Sequence, residues 1–416
     1  MREMKNSGVD WIGEIPAHWE VKRLKAIFTE CKELSTTGKE DLLSVSEYYG
    51  VARRLDVMAD DEYDTRADSL EGYKICKKND LVINIMLAWK RGLGFSDFDG
   101  IVSPAYAVYR GSGIIPHYYH YLLRSDRYIA EFKRNSKGII DSRLRLYSDR
   151  FFAIKTIVPP ITEQQAIADF LDEKTAEIDE QISLLEQKQK AYVNLKQSLI
   201  SQVVTRGLNP NAPLKNTDVD WIGEIPAHWE VKRFKAFAKT IKGKSYDTLN
   251  EPFEGSYKVL SVECLRQDEA QFYDYVFVDD ENQICTSNDI VVIWDGAGVG
   301  EFLKAKDGVL SSTIAKIQLT NKSVILPYLW YWRYKVEYRL KSIPTGMGIP
   351  HLNPTLLNNF KITIPPIEEQ QAIADYLDEK TAEIDEQISN INKKINTYKR
   401  LKQSLIDEVV TGKRKI

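Results

Sequence analysis

Two loops hold the side chains best suited to chemistry in this chain. The first, KRNSKGIIDSRLRLYSDRFF, carries Lys133, Arg134, Lys137, Ser142, Arg143 and Arg145. The second, KSIPTGMGIPHLNPTLLNNF, carries Lys341, His351, Asn353, Asn358 and Asn359. Guanidinium groups such as those of Arg143 and Arg145 match the acceptor pair on a guanine edge, and amides can pair with adenine or phosphate. Such groups suit recognition of double-stranded DNA rather than bond making.

Bond making finds little support. The chain has no G-x-x-x-x-G-K-[ST] or G-x-G-x-x-G motif, and its five histidines form no metal-binding cluster. Asp10, Glu20 and Lys22, repeated as Asp220, Glu230 and Lys232, faintly resemble the acidic pair and lysine of a metal-dependent nuclease. The Glu-x-Lys spacing recurs at Glu131 and Lys133, so it discriminates poorly. The GAGVG run from Gly296 suits an ordinary turn. The expectation is a non-enzyme with no cofactor and no metal. A coiled-coil scaffold that binds only proteins is the alternative, and a nuclease the weaker one.

Charge sets the two loops apart. Over the whole chain 57 Lys+Arg nearly balance 60 Asp+Glu. Residues 110–155, however, hold ten basic and four acidic side chains, and residues 320–361 hold six and one. Residues 162–206 reverse the balance, with five basic and eight acidic. A basic end before an acidic support, found twice, fits a phosphate backbone crossing each domain but not the support.

The elements that must position the loops come in two copies. VDWIGEIPAHWEVKR from Val9 recurs unchanged from Val219, and PPITEQQAIADFLDEKTAEIDEQIS from Pro159 returns almost unchanged from Pro365. LKQSLISQVVT from Leu195 returns as LKQSLIDEVVT from Leu401, and ICKKNDLVI from Ile75 is echoed by ICTSNDIVV from Ile284. A unit of about 200 residues can bury its own core, so this is a duplicated domain rather than a solenoid repeat. Between the halves, GLNPNAPLKNTD has linker chemistry. Lys5-Asn6-Ser7 parallels Lys215-Asn216-Thr217, which makes the organisation circular and predicts neighbouring termini.

Each copy ends in a heptad tail. Leu171, Ile178, Leu185, Tyr192 and Leu199 keep sevenfold spacing, as do Leu377, Ile384, Ile391, Tyr398 and Leu405. The pattern predicts a coiled coil, with Gln189 and Lys196 weakening the seam locally. Thr162 with Gln165 predicts a capping box, weaker in the second copy where Glu368 replaces the threonine, and Gly207 predicts a stop. A helix over 162–205 would be roughly 66 Å long. A domain at its start, a short linker at its end and an identical second tail are best satisfied by an antiparallel, pseudo-twofold pair.

The domain bodies read as α+β, with short apolar strands such as DLVINI and DIVVIW and helical stretches from Pro116 and Pro327. Their aromatics could stack on bases, but packing on a sheet is the simpler reading, as it is for Trp11, Trp19, Trp221 and Trp229. At 11% aromatic and 43% hydrophobic the chain is no disordered polymer. No apolar run is long enough for a membrane span or a secretory signal, so a soluble, cytoplasmic protein with no membrane partner is expected. Cys31, Cys76, Cys264 and Cys285 form no C-x-x-C pair and read as buried, reduced thiols.

Together, WIGEIPAHWEVKR in each half, PPITEQQAIADFLDEKTAEID, and VVTRGLNPNAPLKNTDVDWIGEIP across the junction resemble the specificity subunits of type I restriction-modification systems. The resemblance covers essentially the whole chain. It implies two homologous α/β target-recognition domains, at 1–158 and 219–364, joined by long helices at 159–208 and 365–416 with a linker at 209–218. It also implies that each domain reads one half of a split, asymmetric DNA site. The partners it implies are double-stranded DNA, two methyltransferase subunits docked on the helices, and restriction (translocase) subunits.

Overall fold

The computed structural model describes residues 3–57, 69–267, 273–342 and 350–416. Residues 343–349 of the second loop lie outside the described residues. The chain forms two compact units, Met1–Glu186 with Lys393–Ile416, and Gln187–Asn392.

The units share one topology. In the first, a four-stranded antiparallel sheet runs in the order Phe28–Cys31, Tyr106–Gly111, Asp80–Asn84, Leu93–Phe95. In the second the order is Ala238–Lys242, Ile314–Leu319, Ile290–Ile293, Phe302–Lys304. The echo NDLVI/NDIVV therefore marks the same interior strand. Helices Pro116–Leu123 and Asp126–Asn135 place Tyr118, Tyr119, Tyr128 and Phe132 in the first core. In the second unit one helix, Leu326–Ser342, does this with Tyr328, Tyr331 and Trp332. These aromatics are core, where their apolar area is worth most.

Identical blocks touch each other. Strand Glu20–Arg23 pairs with Lys155–Val158, and Glu230–Arg233 with Lys361–Ile364, immediately before the long helices Ile161–Arg206 and Ile367–Val410. The expected capping box does not form. The first long helix already starts at Ile161, after the proline pair, which leaves Thr162 inside the first turn; Gln165 bonds Asp169 instead. The start is fixed by buried Gln164, which accepts from the Ile115 amide at 2.9 Å and donates to the Pro159 carbonyl at 2.8 Å. Gln370 does the same with Ile325 and Pro365, so the two starts are equivalent despite Glu368. Beside them, the Trp19 indole donates to Glu163 at 3.1 Å and the Trp229 indole to Glu369 at 2.9 Å.

Within each unit the helices run antiparallel. In the first, Asp179 meets Lys402 at 2.6 Å and Glu186 meets Lys399 at 3.8 Å. In the second, Gln189 meets Asn392 at 2.8 Å and Lys196 meets Asp385 at 2.6 Å. Gln189 and Lys196 thus make cross-helix hydrogen bonds at the seam. Leu171 and Leu377 are fully buried, Ile384, Ile391 and Leu405 nearly so, and Ile178, Leu185, Tyr192, Leu199 and Tyr398 are half-buried. Each helix end docks on the opposite repeat block of its unit. The Tyr118 hydroxyl donates to the Val410 carbonyl, and Tyr328 to that of Val204. Gly207 and Gly412 stop the helices at φ +71° and +70°, where a Cβ would sit under 3 Å from the rings of Trp229 and Trp19.

The segment expected as linker is partly strand. Leu214–Asn216 pairs with Glu224–Pro226, as Met4–Asn6 pairs with Glu14–Pro16. The Thr217 hydroxyl adds a 2.7 Å bond to the Gly223 carbonyl, so backbone pairing outweighs the Pro- and Asn-rich composition. Among the described residues no helix is long and apolar enough to cross a membrane. All four cysteines are free; Cys76, Cys264 and Cys285 are buried and Cys31 half-buried.

Candidate nucleic-acid interface

In the first unit the basic loop is a closed hairpin. Lys137 and Arg145 exchange both backbone hydrogen bonds at 2.9 Å, and Asp141–Arg143 form a tight helical turn between them. Leu144 and Leu146 anchor the base, both nearly buried, and the Leu146 amide donates to the Ile85 carbonyl at the end of the central strand. Gly138 has φ +151°, and a Cβ there would lie 2.6 Å from the Arg143 carbonyl oxygen.

The candidate side chains divide into engaged and free. Lys133 is tied to Asp141 at 3.0 Å and Arg134 to Glu131 at 3.2 Å. The Arg145 guanidinium donates to the Leu144 carbonyl at 2.9 Å and bridges towards that of Ser142, which braces the hairpin. Lys137, Ser142 and Arg143 are exposed. Trp89 and Lys90, not singled out from the sequence, join this cluster: the ammonium groups of Lys90 and Lys133 each lie 5.0 Å from the Trp89 ring.

The second unit builds the equivalent place differently. The Leu352 amide donates to the Trp294 carbonyl at 2.8 Å, the counterpart of Leu146 on Ile85, which makes His351 the positional match of Arg145. His351 and Lys242 approach Asp295 at 2.6 and 2.8 Å. Burial pushes the Asp295 carboxyl up, but the hydrogen bonds from Lys242 and His351 and the charge of Lys242 outweigh it and hold the group below its ordinary value. Asn353 caps the short helix Pro354–Asn359 by accepting from the Leu356 amide at 3.0 Å, and the Asn359 amide bonds the Thr355 carbonyl. Asn358 is half-buried on that helix, and Lys341 is exposed at the end of Leu326–Ser342, with Glu337 as its 3.8 Å partner. Asp295 and Lys242 were missed because only the fold brings them to His351.

The arrangement suits binding. Glu20 and Lys22 pair on an exposed strand, Lys22 holding the carboxyl below its ordinary value, and Glu230 and Lys232 do the same at 2.7 Å. Among the described residues no group of three His, Cys, Asp or Glu side chains is placed to hold a metal ion.

Comparison with known proteins fits this geometry. The family described as type I restriction modification DNA specificity domain matches residues 226–397. The MjaVIII specificity subunit of Methanocaldococcus jannaschii is 38% identical over 188 residues, 45% of this chain and 43% of that protein. A protein provisionally named the MjaX specificity subunit, from the same organism, is 24% identical and is matched over 97% of this chain and 95% of its own length. The chain is thus similar to type I specificity subunits, through the matched domain and, at lower identity, along almost its whole length. The chain spans under half of the first relative and nearly all of the second. Its fold matches a chain from a structure on complex assembly and conformational transition of the type I R-M system, with TM-score 0.73 and 17% identity over 96% of this chain and 99% of that one. The HsdS subunit from Thermoanaerobacter tengcongensis matches with TM-score 0.54 and 18% identity over 96% and 98%. The chain thus shares the fold of these structures, a mixed α/β architecture with two similar units and antiparallel helices.

Proposed function

We propose that this chain is a specificity subunit, the non-catalytic, DNA-reading component of a type I restriction-modification complex. Residues 1–158 and 219–364 are its two target-recognition domains, each reading one half of a split, asymmetric site. The helices at 159–208 and 365–416 dock two methyltransferase subunits, and restriction subunits join them for cleavage. One observation carries the reading: one scaffold is built twice, yet the loops held at equivalent places, by Leu146 on Ile85 and Leu352 on Trp294, present different side chains. Two readers on one support are what two unlike half-sites require. The test exchanges the loop 341–359 for 133–150 and maps methylated adenines in cells with the methyltransferase subunits. The expected result is a motif whose second half becomes a copy of the first. An unchanged motif would remove these loops from the reading.

A further inference from the structure

The hairpin of the first unit ends in two isoleucines that the described residues of the unit leave largely uncovered. Ile139 is fully exposed and Ile140 is 54% exposed, although both sit in a loop with a built frame. The double backbone bond between Lys137 and Arg145, the turn over Asp141–Arg143 and the left-handed Gly138 set the backbone on either side. Lys133 ties the turn to its neighbouring helix through Asp141. Exposed lysine and arginine, Lys137 and Arg143, lie on either side of the apolar tip. An apolar tip set between cations is a poor surface for water and a poor seat for a second apolar protein face. It is complementary to a duplex whose phosphates meet the cations while the aliphatic groups enter between bases.

We propose that Ile139 and Ile140 form a wedge that partly unstacks one base step within or beside the first half-site and bends the duplex there. This rests on the DNA-reading role above. The specificity it adds is indirect: a pyrimidine–purine step opens more cheaply than others, so the wedge favours such a step without hydrogen-bonding to its bases. Arg143 and Lys137 supply the phosphate anchorage that holds the tip in the groove, and the Gly138 conformation keeps the two isoleucines clear of the hairpin stem.

The test uses the full chain with its methyltransferase subunits on a duplex carrying the mapped methylation motif, labelled at both ends for energy transfer. A second duplex has one abasic position at the step facing the hairpin. The intact protein should bend the first duplex and bind the second more tightly. Ile139→Ser with Ile140→Ser should lose the bend, bind the intact motif roughly tenfold to a hundredfold more weakly, and lose the preference for the abasic duplex. Ile139→Leu with Ile140→Leu should restore all three, while Arg143→Ala should weaken both duplexes together. A serine variant that bends and discriminates like the parent overturns the wedge and leaves DNA reading intact. A serine variant that handles DNA normally but no longer assembles with its subunits makes the tip a protein contact and overturns the wedge too. If the parent complex binds no duplex, the reading of the whole chain falls with it.

Discussion

A fragment ending at Asn209 should pair with itself. It keeps the first sheet domain and the whole helix Ile161–Arg206 with its glycine stop, but loses the end of the second helix that completes the first unit. In that unit Val409 and Val410 are fully buried and Leu405 is 7% exposed. At about 1.5–3 kcal/mol per buried side chain, their loss uncovers roughly 5–9 kcal/mol of apolar contact. The replacement lies in the fragment, because Leu195–Ile200 repeats Leu401–Ile406 and Val203–Thr205 repeats Val409–Thr411. A twofold dimer places Val203 and Val204 of each chain where Val409 and Val410 sat and Lys196 where Lys402 met Asp179. The contact is then restored twice, against an association cost of about 4–15 kcal/mol, so a dissociation constant in the micromolar range or tighter is expected. Sedimentation equilibrium gives the mass. Lys196→Glu should weaken the dimer by setting like charges together, and adding Asp179→Lys should recover it. With methyltransferase subunits the dimer should modify an inverted repeat of the first half-site. A fragment that stays monomeric at hundred-micromolar concentration refutes the reasoning.

Four further outcomes are expected. Gln164→Ala strands the Ile115 amide and the Pro159 carbonyl in the core and should cost about 2–4 kcal/mol in denaturant titration, with Gln370→Ala equivalent in the second unit. Asp407 has a buried carboxyl oxygen without a hydrogen-bond donor, and burial, helped by nearby Asp126, holds its carboxyl above the ordinary value. The charged form is therefore penalised as pH rises, and Asp407→Ser, the residue at the matching position Ser201, should raise stability at neutral pH by about 1 kcal/mol. Burial, with Arg124 and His117 nearby, lowers His120 to about 3, so the unfolded chain binds a proton first. Thermal stability should fall as pH drops below about 6.5, and His120→Phe should flatten that slope if the histidine causes it. Arg143→Ala should weaken specific and random duplexes alike, as the loss of a phosphate contact does, whereas a loss of about 1–3 kcal/mol confined to the first half-site would make Arg143 a guanine reader.

Much of the support was legible because its signals are periodic or duplicated. The heptad positions stand out in sequence since burial recurs every third and fourth residue, and the helices bury those side chains. Three-residue strands such as Leu214–Asn216 carry no alternation to read, because their side chains are exposed and only the backbone pairs. The capping pattern at Thr162 misled for a definite reason: the proline pair starts the helix a turn position earlier, and Gln164 finds its partner 49 residues away. Arg143 and Arg145 look alike in sequence, yet one is exposed and the other braces its own loop. Trp89 and Asp295 gain their meaning only from neighbours that the sheet delivers.

The pattern of sameness and difference follows from where side chains bear load. Trp19 to Glu163 joins two repeat blocks, Gln164 to Ile115 and Val410 to Tyr118 tie a repeat block to the neighbouring helical segment, and each contact has its counterpart in the second unit. Changing one partner leaves a buried polar group unpaired, so those blocks are held to one sequence. The loops hang on the sheet by backbone hydrogen bonds, Leu146 to Ile85 and Leu352 to Trp294, with buried leucines as anchors. Such an attachment asks for a main chain and an apolar residue and leaves the exposed side chains of the loop open to differ. A hairpin with arginine and isoleucine can therefore stand in one unit, and a histidine–aspartate–lysine cluster in the other, without disturbing the helices that carry both.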